Sequence, residues 1–218
     1  MGLGDYVTYI FTALVVSLTI TGEQKDIKLC SYLIQQWGDK MPPKAKASMV
    51  LLNFLRKWTF LPAMLLCVML LVAIKGGDAL TLCFNTVAML FMCEIDNAAY
   101  YIGLVEAVRA RMEHVGRCHL TEKQAADVWY GKAVTITMLP WGLLLPLPLI
   151  QTGEQTLWVV CLPIPFLSYF LIAIIEAFGP GQEPVAGAGE ACKRVSAVFG
   201  RWFAGLVGFG IFVGLAGR

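Results

Sequence analysis

DALTLCFNTVAMLFMCEIDNAAYYIG, Asp78 to Gly103, is an apolar run of membrane-spanning length that carries Glu94 and Asp96 within it. A helix that crosses a bilayer needs about 20 mostly apolar residues. Acids at membrane depth are costly and face a partner or an aqueous cavity. The stretch therefore predicts a transmembrane helix with polar contacts.

The rest of the chain agrees with that class. It is 58% hydrophobic and 15% charged, with a mean hydropathy of +0.68. A soluble domain is about 45–50% apolar and about 25% charged. The apolar residues fall in blocks. They predict an all-α polytopic membrane protein, a single domain over 1–218, with spans at about 5–21, 58–74, 79–103, 133–150, 157–178 and 198–216. The net charge of +2 argues against a nucleic-acid partner. The chain opens with no basic region followed by a cleavage signature, so no signal peptide is expected.

Charge placement orients the bundle. Fifteen of the 17 Lys and Arg fall in Gly22–Lys57, Leu104–Lys132 and Gly179–Arg201, leaving only Lys75 and Arg218. Basic residues gather on the cytoplasmic, matrix or stromal side of a membrane. The asymmetry predicts six spans, with both termini on the side opposite the basic loops. On the basic side, Asp26–Trp37 reads as an interfacial helix ended by Met41-Pro42-Pro43. The third helix is expected to protrude beyond Gly103 as far as Gly116. A new helix begins at Thr121, where Thr121 and Gln124 fit a capping box. It runs through Trp129 and Tyr130, an aromatic interface pair, into the fourth span.

The fourth and fifth spans carry Pro140, Pro146, Pro148, Pro163 and Pro165, which predict a kinked hairpin. A broken-helix transporter site is the sharper alternative, but no inverted repeat accompanies it. In the sixth span Ala204, Gly208, Gly210 and Gly214 form small-x3-small pairs that permit close helix packing. The seven Cys have no CxxC spacing. They read as small buried apolar residues rather than as disulfides or metal ligands.

On the third helix, Asn85 and Asp96 fall about 20° apart at about 100° per residue, with Glu94 about 180° from Asn85. Asn97 lies near Glu94. Polar stripes on opposite faces place this helix centrally in the bundle. Glu94 and Asp96 lie about 22–26 Å in from the basic-poor side. Glu176, Arg56 and Lys57 reach a similar level. The set Glu94, Asp96, Asn97, Asn85, Glu176, Arg56 and Lys57 is thus a candidate intramembrane ion-pair layer that locks the bundle. The alternative is a proton or cation path through Glu94, Asp96 and Asn85. No span holds a His to bind haem or chlorophyll, and no Ser-His-Asp, H-E-x-x-H, Walker or G-x-S-x-G pattern is present. His114, Cys118 and His119 form an incomplete metal set. No enzymatic activity and no metal are expected.

Two segments carry a resemblance: GEQKDIKLC (Gly22–Cys30), and RKWTFLPAM (Arg56–Met64) followed by KGGDALTLCFNTVAMLFMCEIDN (Lys75–Asn97). They resemble uncharacterised polytopic membrane proteins of dinoflagellate algae, over about the first half of the chain. The resemblance implies an algal organelle, thylakoid or mitochondrial inner membrane. The expectation is a non-enzymatic accessory subunit of a larger membrane complex, photosynthetic first and respiratory second. Its partners are other membrane subunits and lipids, and its candidate surface ligands are chlorophyll, carotenoid or lipid. A channel or transporter on the third helix, and a pigment or lipid scaffold, are the alternatives.

Overall fold

The structure, a computed structural model, describes residues 3–67, 119–145, 163–180, 182–183 and 185–216, with 80, 83–84, 86–88, 90–91, 94 and 106. All regular structure among these residues is helical. Helix α1 is Leu3–Trp37, and α2 is Pro43–Leu55. A π-helical turn, Arg56–Phe60, carries α2 on to residue 67. Then come α3, Glu122–Leu144, α4, Pro163–Ala177, and α5, Ala188–Ala216. Helix α1 packs on α3, α3 on α4, and α5 on both α4 and the π turn. Two stretches, Tyr6–Trp37 and Pro43–Cys67, are long and apolar enough to cross a membrane by length and composition.

The first expectation to be corrected is the break after Thr21. Helix α1 runs unbroken through Gly22 to Trp37, so Asp26–Trp37 continues the first span and is not a separate interfacial helix. Nothing in Gly22–Lys25 stops a helix. An interior Gly costs only about 1 kcal/mol, and no Pro intervenes. The predicted stop at Met41-Pro42-Pro43 is where α2 begins, with Pro43 at its first turn. The second span likewise starts 15 residues before Trp58, and α5 starts ten residues before Val198.

Helix α3 starts where its sequence says. The Thr121 hydroxyl accepts from the Gln124 N–H at 3.3 Å, and the Gln124 side chain accepts from the Thr121 N–H at 3.0 Å. Both otherwise orphaned donors are satisfied. Thr121→Ala should cost about 1 kcal/mol. The loss should appear as local amide-exchange fraying over residues 122–125, with packing at Leu139 unchanged.

The π turn has a local cause. Pro62 has no N–H for the Trp58 carbonyl, and its ring would crowd that carbonyl in a regular helix. The wider turn relieves the clash, and the Leu61 N–H reaches back to the Arg56 carbonyl. The Lys57 carbonyl accepts from the Tyr169 hydroxyl of α4 at 2.8 Å. Gly205 of α5 lies against the Trp58 carbonyl so closely that a Cβ there would overlap it. The close approach on α5 is thus at Gly205. Ala204 is exposed, and Gly208, Gly210 and Gly214 lie farther along the same helix.

The interior is mixed and the outside is apolar. Ala13, Val16, Ile20, Leu61, Leu65, Leu139, Leu143, Tyr169 and Ile172 form one buried cluster. Thr12, Ser17, Thr21, Gln24 and Thr135 are buried with them. Ser17 and Thr21 donate to the carbonyls four residues back, at 2.7 and 2.6 Å. This is the usual way a helix hides a hydroxyl. On the opposite side of α1, Val7, Phe11, Leu14 and Leu18 face outward, Phe11 with 64% of its surface exposed. Leu80, Phe84, Val87 and Phe91 do the same in the third segment. Their i, i+4, i+3, i+4 spacing makes one outward apolar face. This corrects the central placement of the third helix. At the described positions it has an open side, and Glu94 is exposed. Its inward side meets α1 through the Thr86 hydroxyl, which donates to Thr12 at 3.2 Å.

Cys67 and Cys83 also face outward, which corrects their reading as buried. Cys93, Cys118 and Cys161 lie outside the described residues, as do Asn85, Asp96, Asn97 and most of the proline-rich hairpin turn. Pro140 sits inside α3, and Pro163 opens the described part of α4.

Candidate functional site: a buried charge network

Four elements converge at the Gln24–Tyr32 level of α1: α1 itself, α3, α4 and the π turn. Helix α3 supplies a stripe at i, i+4 spacing, Asp127, Gly131, Thr135 and Leu139, all buried. Helix α4 supplies Glu176, and the π turn supplies Arg56 and Lys57. Asp127 is 3% exposed and Glu176 6%. Charges buried this far require partners.

Lys28 is the hub. Its Nζ lies 3.2 Å from Asp127 Oδ2 and 3.4 Å from Glu176 Oε1, and it donates to the Asp127 carbonyl at 3.1 Å. Lys57 reaches the other carboxylate oxygen of Glu176, Oε2, at 3.4 Å, and lies over the Trp58 ring, 5.4 Å from its centroid. The Tyr32 hydroxyl donates to Asp127 Oδ2 at 2.8 Å. Two acids and two ammonium groups thus close a charge-neutral set across α1, α3, α4 and the π turn. Asp127 Oδ1 and Glu176 Oε1 accept no hydrogen bond among the described residues. The Glu176 contacts exceed the about 2.7–2.9 Å of a tight charge-assisted bond, because one carboxylate is shared between two lysines.

Gly131 makes room for this. A Cβ there would meet Lys28 Nζ and Glu176 Oε1. Gly131→Ala should therefore displace the hub and cost about 2 kcal/mol, read from the unfolding midpoint of the detergent-solubilised protein. One turn deeper, the Thr135 hydroxyl lies against Gln24 Oε1 and the Gly131 carbonyl. Gln24 also hydrogen-bonds the Tyr169 hydroxyl. Beyond that layer Ile20, Leu139 and Leu143 form dry core.

Of the residues singled out by sequence, the structure brings Lys57 and Glu176 together. Arg56 turns away to Glu23 at 2.5 Å. Glu94 is exposed in the third segment, and Asp96, Asn97 and Asn85 lie outside the described residues. Lys28, Asp127, Tyr32 and Glu23 were missed. Asp127 was findable, because it begins the stripe of buried α3 positions that the Thr121 cap sets in register.

A second charged cluster sits at the start of α5. Glu190 accepts from the Ala186 N–H at 3.0 Å and from Arg194 at 2.6 Å. The Ala186 backbone bond, then Arg194, hold its carboxyl below the ordinary value. A depressed acid adds stability above its unfolded pKa and loses it as pH falls through the folded one. Acidification below the usual glutamate range should speed amide exchange at Ala186, and Glu190→Gln should remove that pH dependence.

Among the described residues no group of three or more His, Cys, Asp or Glu is placed to hold a metal. Comparisons with protein-family models, with curated proteins and with solved structures gave no match. The class that fold and site define is, over the described residues, an all-helical protein with two helices long and apolar enough to cross a membrane and a buried four-charge network joining them to the rest of the bundle.

Proposed function

We propose that this chain is a six-span integral membrane protein acting as a non-enzymatic accessory subunit of a larger membrane complex. The setting implied by the resemblance is an organellar membrane, thylakoid first and mitochondrial inner second. One observation carries the reading: contiguous apolar faces point outward, while polar side chains are buried among the apolar core. Val7, Phe11, Leu14 and Leu18 on α1 face outward, as do Phe199, Phe203 and Val207 on α5, while Thr12, Ser17, Gln24 and Thr135 are buried. A soluble protein reverses this, and contiguous outward apolar faces mark contact with lipid or protein. In lipid, helices gain little from burying leucine against leucine, so polar contacts and close packing fix their arrangement.

The charge network supports a lock over a path. Its four charges are paired with one another. Between Thr135 and the Thr12–Thr86 contact lie Ile20, Val16 and Leu139, and the buried Ser17 and Thr21 hydroxyls there donate to carbonyls of their own helix. A proton or cation route along this face would cross that segment of apolar side chains and engaged hydroxyls. Purification in a mild detergent tests the proposal. Other membrane subunits should co-migrate with the chain in stoichiometric amount. A stable monomer without partners overturns it.

A further inference from the structure

The network is flanked by a half-open cavity of about 560 Å³, within the about 300–1,000 Å³ of small-molecule sites. Cations from three elements line it: Lys28 of α1, Lys57 of the π turn, and Arg194 and Arg201 of α5. Three acids line it as well: Asp127, Glu176 and Glu183. The cations are not equivalent. Lys28 is engaged by Asp127 and Glu176. Arg194 is engaged by Glu190 and by the Ala177 and Glu183 carbonyls. Lys57 spends one contact on Glu176 at 3.4 Å, leaving donor capacity. Arg201 is exposed, and among the described residues it has no hydrogen bond or ion pair. With Glu190 counted beside Arg194 the cations and acids balance in number, but among the described residues the Arg201 guanidinium fork is not engaged by any of them. Such a fork matches the oxygens of a phosphate.

The position of the mouth points the same way. Lys28 lies ten residues beyond Leu18, the last of the outward α1 stripe, which is about 15 Å along the helix. Arg201 is exposed on α5 at the same level as Phe199 and Phe203 but on the other side of the helix from their outward apolar face. The opening thus sits where an apolar surface gives way to a polar one, the level of lipid phosphates.

We propose that this cavity binds a phosphate group, with Arg201 and Lys57 as its cationic contacts and Gln35 and Gln182 at its edge as neutral donors. The phosphate is that of a lipid headgroup or of free inorganic phosphate. The lipid source rests on the membrane reading, and neither source depends on partner subunits.

The test uses the full chain in uncharged detergent micelles. The thermal midpoint is titrated with phosphatidic acid, with diacylglycerol of the same chains, and with inorganic phosphate at constant ionic strength. Saturable stabilisation by phosphatidic acid alone assigns a lipid headgroup, and by inorganic phosphate as well assigns the free anion. Arg201→Ala should leave the unliganded midpoint unchanged and weaken binding about tenfold, the worth of one charge-assisted contact, with Arg201→Lys intermediate. No saturation by either phosphate source, an equal response to diacylglycerol, or wild-type binding by Arg201→Ala overturns the proposal. A chain that binds phosphate but purifies alone would refute the accessory role and leave this site standing.

Discussion

Glu176→Ala is expected to lower the unfolding free energy of the detergent-solubilised protein by roughly 3 kcal/mol. Among the described residues Glu176 is the only acid that Lys57 contacts, and it shares Lys28 with Asp127. Its removal leaves two ammonium groups facing one carboxylate, and Lys28, with 13% of its side chain exposed, cannot reach water freely. Losing one partner of a buried pair costs far more than losing both, because the remaining charge stays desolvated. Lys57→Met combined with Glu176→Leu should therefore recover much of the loss. Unfolding in mixed detergent micelles measures both variants against the parent. An alanine variant within about 0.5 kcal/mol of the parent, the range of an ordinary surface substitution, would show that the pairing contributes nothing.

The second large effect is expected at Gly205. A Cβ there would stand 2.7 Å from the Trp58 carbonyl carbon and closer still to its oxygen. Trp58 cannot retreat easily. Its turn is held by the Tyr169 hydroxyl on the Lys57 carbonyl, and its ring packs in a cluster with Ala173 and Val198. Gly205→Ala should cost about 2–3 kcal/mol, the range of overpacking in a well-filled core. It should also loosen the Phe170–Trp202 contact, whose ring centroids are 5.1 Å apart, and so shift the tryptophan emission. Gly200, on the same helix, has nothing within 4 Å of its Cβ position. Gly200→Ala should be neutral or slightly stabilising, since Ala is the better helix former. Equal behaviour of the two variants would contradict the packing described for α5.

The sequence conveyed the local signals well and the lateral ones poorly. The Thr121 cap and the helical class depend on neighbours in the chain, and both are found in the structure. Lys57 and Glu176 were legible because one opens an apolar run and the other lies near the end of one. Lys28 and Asp127 were hidden among loop charges, since their burial depends on which faces of α1 and α3 meet. The predicted break after Thr21 came from reading polarity as interruption, whereas Glu23, Gln24 and Lys28 continue the helix because its neighbours satisfy them. The third segment shows the opposite error. Its two polar stripes implied neighbours on both sides, but Leu80, Phe84, Val87 and Phe91 form an outward face whose apolar character needs no protein partner in a bilayer. Small-residue spacing pointed to Ala204, Gly208, Gly210 and Gly214. Of these Ala204 is exposed, and its neighbour Gly205 makes a close contact set by the position of the π turn that Pro62 creates.

The central claim is a bilayer-spanning bundle whose charge network lies on the basic side. Single cysteines at Asp39, Gly187 and Gly153, in a chain whose seven native Cys are replaced, test it in sealed, oriented vesicles with a membrane-impermeant thiol reagent. Positions 39 and 187 should react from one side and position 153 from the other only. Reaction of all three from the same side would contradict the six-span bundle and the placement of the network within it.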